Sequence, residues 1–277
     1  MVGILFVFYL VLWYNVRHME IVMYFFIFLF GLSFGSFLNA WIYRVRENMK
    51  ICSDRSICPT CHQHLVWYDN IPLISYLLFL KGKCRRCKID IHWQYPVVEF
   101  SVGILFVFVA YLHNFHLNFI LTPELLRDFI IVFLLTFIFI YDLKYKEILD
   151  RVTLLPALFL FFATGATGWF GWYDMCLGIL IGGGFFLLQY IISKGKWIGG
   201  GDIRLGVFMG VILGWQNTVL ALLIAYVVGA LVGVYLLINK KKGLKSELPF
   251  GTFLVISTFV AMFWGSHIIE WYLGLLG

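Results

Sequence analysis

Asp142 closes the apolar run Phe133-Leu-Leu-Thr-Phe-Ile-Phe-Ile-Tyr141, and Asp202 follows Gly199-Gly200-Gly201 at the head of another apolar run. Ionisable groups at membrane depth are costly, which makes both acids functional suspects. Two carboxylates brought together can divide the work of hydrolysis. One stays ionised and activates water, and the other stays protonated and polarises a carbonyl, because two close like charges cannot both ionise cheaply. Such a pair titrates as a unit. The glycines would let the backbone bring Asp202 close to a substrate. Each acid also has a purely structural reading. Asp202 sits where a helix N-terminus favours a carboxylate, and Asp142 is within reach of pairing with Lys144 or Lys146. Asp150 also lies near the interface.

The cysteines suggest a second kind of chemistry. Cys58-Pro59-Thr60-Cys61 and Cys84-Arg85-Arg86-Cys87 are two CxxC pairs with 22 residues between them. That spacing suits four thiolates around a tetrahedral zinc ion. A reducing cytosol disfavours structural disulfides, and a thioredoxin-like redox motif needs one CxxC rather than two. Lys83, Arg85, Arg86 and Lys88 would help balance the negative charge of the site. His62 and His64 rank below the four cysteines as ligands; Cys52 and Cys176 fit neither pair and are expected to pack. A metal site would let a small loop fold on its own.

The elements that must position these residues are apolar helices. Of 277 residues, 62% are hydrophobic and 13% charged, against roughly 25% charged in an average globular chain. This excludes a soluble enzyme, a secreted disulfide scaffold and a disordered tail. Apolar blocks fall at about 21–43, 95–113, 125–142, 152–170, 174–193, 203–215, 217–238 and 249–273. Most reach the roughly 20 residues that cross a bilayer, and their backbones must be satisfied internally, hence helically. The expectation is an all-α polytopic membrane protein of about eight transmembrane helices. The sixth and seventh would form a hairpin at Gly214-Trp215-Gln216-Asn217. Gly182-Gly183-Gly184 and the pair Gly229 and Gly233 read as packing faces.

Nineteen of the 21 Lys and Arg fall in four clusters that eight spans place on one side. The positive-inside rule makes that side cytoplasmic. It carries the cysteine loop and both suspect acids. The expected organisation is an uncertain apolar segment at 1–20, a first transmembrane helix at 21–43, a cytoplasmic four-cysteine zinc domain at 44–94 and a seven-helix membrane domain at 95–277. The segment 1–14 is short for a span and is followed by Arg17-His18-Met19-Glu20. It reads as an interfacial helix or as a misplaced start with Met19 or Met23 as initiator, since no basic n-region marks a signal peptide.

Six ordered blocks resemble one family. They are Gly35-Ser-Phe-Leu-Asn-Ala-Trp-Ile-Tyr-Arg44, the two cysteine pairs with Trp67-Tyr-Asp-Asn-Ile-Pro72 between them, Tyr95-Pro-Val-Val-Glu99, Asp142-Leu143 with Asp150 and Thr153, Gly199-Gly-Gly-Asp202, and Pro249-Phe-Gly-Thr-Phe253. In this order, from about Gly31 to Phe253, the chain resembles bacterial type IV prepilin peptidases of the GxGD class of membrane aspartyl proteases. Leu149 stands where that family usually has Pro, and Arg204 replaces a common Lys with the charge kept.

The resemblance implies cleavage of prepilins or pseudopilins, after a Gly at the cytoplasmic face of the inner membrane, between a basic leader and a hydrophobic helix. Asp142 and Asp202 would be the catalytic pair, with Gly199, Gly201 and Glu99 toward substrate and no metal at the scissile bond. It also implies N-methylation of the new N-terminal amine from S-adenosylmethionine, an activity associated with the cysteine-bearing domain. Glu99 is either a binder of that amine or a capping or ion-paired acid. No Gly-rich nucleotide loop opens a strand–helix unit, so a Rossmann methyltransferase is not expected. The expected partners are the pilin-like substrates of type IV pilus or type II secretion systems and membrane lipid, not nucleic acid.

Rival readings are a transporter or channel using Asp142, Asp202 and Glu99 as a relay, and a secretion-machinery scaffold with a structural zinc domain. A third is a GxGD protease with other membrane substrates, which the cysteine loop and the Pro249 block argue against. Transporters often show repeats and broken midplane helices, whereas here the acids gather at one edge.

Overall fold

The computed structural model describes residues 2–51, 55–115, 121–168, 171–239 and 249–275, with side chains from residue 19 onward. Seven helices are described: α1 (Val2–Arg46), α2 (Gln94–Leu112), α3 (Pro123–Tyr145), α4 (Asp150–Thr167), α5 (Trp172–Ser193), α6 (Gly200–Ile238) and α7 (Phe250–Gly274). Among the described residues β structure is confined to two isolated bridges, Ile57 with His64 and Lys83 with Asp90. By compactness the chain divides into two units, Met1–Phe133 and Leu134–Gly277.

In the first unit α1 and α2 pack closely along a four-residue period. A Cβ on Gly31 would lie 2.8 Å from the Gly103 Cα, and one on Gly35 would lie 2.6 Å from the Glu99 Cα. One further turn along, the Asn39 amide donates to the Tyr95 carbonyl at 3.1 Å. Small residues at such contacts let backbones approach without a side chain between them. At the far end of α2 the buried Asp128 receives His113 Nε2 at 2.8 Å and Arg127 Nε at 2.7 Å. That acid is compensated by charge-assisted bonds, as an acid in an apolar helix must be. The sequence reading did not single it out.

In the second unit the main seam is α5 against α6, again built on glycines. Gly178 faces the Gly210 carbonyl and Gly182 faces the Gly206 carbonyl, so no Cβ fits at either position. These contacts run antiparallel. Beyond Gly214, Gly182 also meets Thr218 and Phe185 meets Tyr226, a parallel pairing. The chain of α6 therefore folds back on itself. Gly214 makes the reversal with φ 70° and ψ 179°, a combination that L residues with a side chain avoid. Thr218 Oγ1 closes the bend by donating to the Gly214 carbonyl at 2.6 Å. The expected hairpin is present at the expected residue.

Among the described residues five helices are long and apolar enough to cross a membrane: Met19–Arg46, Gln94–Leu112, Trp172–Ser193, Gly200–Ile238 and Phe250–Gly274. The chain is a multi-pass membrane protein. The difference from about eight expected spans has physical causes. The two arms of α6 are joined across Gly214 and count as one helix. In α3 the apolar stretch is bounded by Arg127, Asp128 and Asp142, and α4 opens on Asp150-Arg151. Of the expected packing glycines, Gly182 and Gly183 do pack, but an added Cβ on Gly233 would meet nothing within 4 Å. Cys176 is exposed on α5 rather than packed, and Cys52 and the Lys240–Lys245 cluster lie outside the described residues.

Candidate active site and four-cysteine cluster

The six residues between α5 and α6 set the position of Asp202. Lys194 and Gly195 take left-handed conformations, φ 52° and 74°. The Gly195 N–H then returns to the Tyr190 carbonyl at 2.9 Å, and the Trp197 N–H reaches Ser193 Oγ at 3.4 Å. This tight C-terminal closure of α5 delivers the chain to Gly199, the N-cap of α6. Asp202 follows in the first turn, half-buried, its N–H bonded to the Gly199 carbonyl at 3.2 Å.

Asp142, in the last turn of α3, is 4% exposed. Its Oδ2 accepts the Thr252 N–H at 2.8 Å, across 110 residues of sequence. Thr252 lies in the first turn of α7, behind Pro249 at the N-cap. One unpaired N–H of that helix end thus receives a carboxylate from another element, a favourable pairing of anion and helix N-terminus. The sequence reading named the Pro249 block without assigning this contact. The visible signal was a Pro followed by a helix start.

Ile148 occupies the space between these elements. A Cβ on Gly201 would lie 2.9 Å from its Cβ, and one on Gly251 would lie 2.9 Å from its Cδ1 and 2.8 Å from Asp142 Oδ2. Gly199 and Gly200 are different. The nearest atom to an added Cβ on Gly199 is Asp202 Oδ2 at 3.9 Å, and Gly200 meets nothing within 4 Å. The four-glycine neighbourhood thus splits into two positions closed by packing and two open ones.

Asp142, Asp202, Gly199 and Gly201 line one open cavity of about 500 Å³, bordered also by Lys146, Lys196, Trp197 and Phe250. Asp202 lies within electrostatic range of Asp142. Two carboxyl groups facing one solvent-accessible space at helix ends can share a proton and act on a bound water from two sides. Asp150 pairs with Arg204 instead. The turn at Leu149 closes without a proline, since its carbonyl accepts the Val152 and Thr153 N–H groups and Thr153 Oγ1 at 3.0 to 3.2 Å.

Glu99, in the first unit, is buried, and its Oε2 accepts the Leu73 N–H at 2.8 Å. Leu73 is itself left-handed, φ 57°, so this carboxylate fixes a strained residue of the loop.

The two cysteine pairs fold as equivalent knuckles. The first cysteine of each donates its N–H to the carbonyl five residues on (Cys58 to Gln63 at 3.0 Å, Cys84 to Ile89 at 2.9 Å). Its carbonyl accepts the N–H four residues on, from His62 and Lys88, and both of those residues are left-handed. All four Sγ atoms lie within 4.8 Å of one another. Cys58 and Cys87 Sγ are 3.9 Å apart, close to the ~3.8 Å edge of a sulfur tetrahedron with Zn–S of about 2.3 Å. The donor set is soft, four-fold and inward-facing, so it could hold a zinc ion; His62 and His64 are exposed and outside it. Burial pushes the Cys84 thiol up. Backbone N–H groups of Cys87 and Arg86, with the neighbouring thiols of Cys87 and Cys58, outweigh that and bring it down to about 7. Arg85, within the second knuckle, clamps buried Asp69 through Nε at 3.1 Å and Nη2 at 2.7 Å. This ties the Trp67–Asn70 turn to the cluster.

Multi-pass helices with two carboxylates on one open cavity define a membrane-embedded protein equipped for acid–base hydrolysis. The comparisons with known proteins make the class specific. The bacterial peptidase A24 N-terminal domain matches residues 29–113, and the type IV leader peptidase family matches residues 129–234. The chain is 31% identical to a prepilin leader peptidase/N-methyltransferase of Legionella pneumophila, over 91% of this chain and 95% of the relative. It is 32% identical to one of Aeromonas salmonicida (90% and 94%) and 29% identical to one of Bacillus subtilis (89% and 96%). The chain belongs to the type IV leader peptidase family. No solved structure matches it.

Proposed function

We propose that this protein removes the basic leader of prepilins or pseudopilins, with Asp142 and Asp202 as the catalytic pair. The observation that carries the reading is that two acids sixty residues apart line one cavity at the ends of three helices. In the reaction, the ionised carboxylate takes a proton from water as the water oxygen bonds to the carbonyl carbon of the scissile Gly. The protonated carboxyl gives its proton to the carbonyl oxygen. Collapse of the tetrahedral gem-diol breaks the C–N bond: the proton taken from water passes to the leaving amine, and one gem-diol hydroxyl returns its proton to the carboxylate that had protonated the carbonyl oxygen, which restores both acids. Gly199 offers an open approach to the Asp202 carboxylate, while Gly201 and Gly251 keep Ile148 and Asp142 in place.

We further propose that residues 44–94 form a cytoplasmic zinc domain with Cys58, Cys61, Cys84 and Cys87 as ligands. Residues 21–43 would form the first transmembrane helix and residues 95–277 would carry the protease in the bacterial inner membrane, and residues 1–20 remain outside these assignments. The metal would act structurally, holding the two knuckles together. The same names on the relatives support N-methylation of the new N-terminus from S-adenosylmethionine. Among the described residues no strand–loop–helix nucleotide site exists, so no residue is assigned to that cofactor.

The test is the purified protein in lipid with a pilin-like substrate cut between Gly and Phe, with and without S-adenosylmethionine, read by mass spectrometry. Loss of the leader, and a further methyl mass only with S-adenosylmethionine, is the expected result. No cut on any pilin-like substrate would favour the transporter or scaffold.

A further inference from the structure

Next to the cavity lies a polar pair that the hydrolytic mechanism does not use. Tyr226, on the returning arm of α6, donates its hydroxyl to Gln189 Oε1 of α5 at 3.0 Å. Both lie on an otherwise apolar exposed surface that includes Leu188, Ile192, Leu223 and Val227. Polar side chains on such a face are expensive unless they have a use.

Their place in the fold connects them to the acids. Asp202 precedes Gly206 by one turn, Phe186 follows Gly182 by one turn, and Gly182 and Gly206 are in contact. Phe186 and Asp202 therefore share a level, and Gln189 lies one turn beyond on α5. The Tyr226 ring is 5.1 Å from the ring of Phe250, which lines the cavity.

A substrate cut just before an apolar helix poses a problem of backbone chemistry. The first four N–H groups of any helix lack intrahelical partners, and in a bilayer each unsatisfied group costs several kcal/mol. Gln189 Oε1 keeps a second lone pair after accepting the Tyr226 hydroxyl, and the Tyr226 oxygen keeps its own. Both residues are partly exposed, and Tyr226 is in ring contact with Phe250 of the cavity wall.

We infer that Tyr226 and Gln189 form the docking site for the N-terminus of the substrate's transmembrane helix, accepting its unpaired first-turn N–H groups. The pair holds the helix so that the preceding peptide bond lies in the cavity. This inference rests on the proposed peptidase reading.

The test is a set of cycles between enzyme and substrate in lipid. Tyr226→Phe and Gln189→Leu are each assayed on an all-amide prepilin and on substrates with an ester replacing the amide at the second, third or fourth residue after the cut. An ester removes one N–H and leaves the chain shape. On the all-amide substrate each variant is expected to lose about 5- to 100-fold in kcat/KM. On the ester lacking the bonded N–H the further loss shrinks to within about two-fold, the mark of a direct interaction. Equal losses on every substrate, or none, would overturn the inference, because a mere clamp between α5 and α6 is blind to the substrate backbone. If the unaltered enzyme cleaves none of these substrates, the peptidase reading itself falls and the docking site with it. Asp142→Asn, inactive on all of them, separates chemistry from docking.

Discussion

Asp142 is held by a backbone N–H, and the room for that contact exists because residue 251 is glycine. A methyl group on Gly251 would lie 2.8 Å from Asp142 Oδ2 and 2.9 Å from Ile148 Cδ1, so the carboxylate or the isoleucine must move. Misplacing a reacting group by about 1 Å can lower a rate on the order of 100-fold. Gly251→Ala is therefore expected to lose activity on that scale with little change in melting temperature. Gly233→Ala, where nothing lies within 4 Å, serves as the control; equal activity of the two proteins would contradict the packing assigned to Gly251. The two acids were legible in the sequence because charge is rare in such apolar runs. Thr252 was not, since a backbone N–H carries no sequence signature. Asp128 escaped notice too, although it is buried, because His113 meets it only after folding.

At the scale of elements, the α5–α6 seam and the knuckles each give a prediction. Gly182→Val places a branched side chain against the Gly206 carbonyl, and such overpacking costs about 1–3 kcal/mol. A lower midpoint of thermal unfolding in detergent is expected, and an unchanged midpoint would mean that the seam yields easily. Cys84→Ser removes one of four converging thiols. Metal analysis should find a zinc ion in the reduced parent protein and a substantial loss in the variant. Equal metal in both, or none in the parent, would reject the site. The knuckle spacing was readable directly, because CxxC brings two thiols together by local geometry. The reversal at Gly214 was readable from its turn residues. The number of spans was not, since hydropathy does not say whether α3, with Arg127, Asp128 and Asp142 in its length, crosses the bilayer alone or under cover of its neighbours.

At the scale of the whole molecule, the sequence already carried the family through six ordered blocks. Neither composition nor pattern showed that distant helix ends would meet, because the closure of α6 on α5 and the capping of α7 by Asp142 are tertiary events. A carboxylate pair that works with one shared proton gives a bell-shaped pH dependence. Activity falls in acid, when both groups are protonated and no base remains, and falls in alkali, when both are ionised and no acid remains. A cleavage rate that rises monotonically with pH across the whole range would argue for a different base. The most direct measurement is leader removal by the parent protein, Asp142→Asn and Asp202→Asn, each purified folded in lipid and followed by mass spectrometry of one prepilin. Each substitution is expected to lower the rate by at least about 1,000-fold while the melting temperature holds. Processing by either variant at a rate near that of the parent would contradict the catalytic pair.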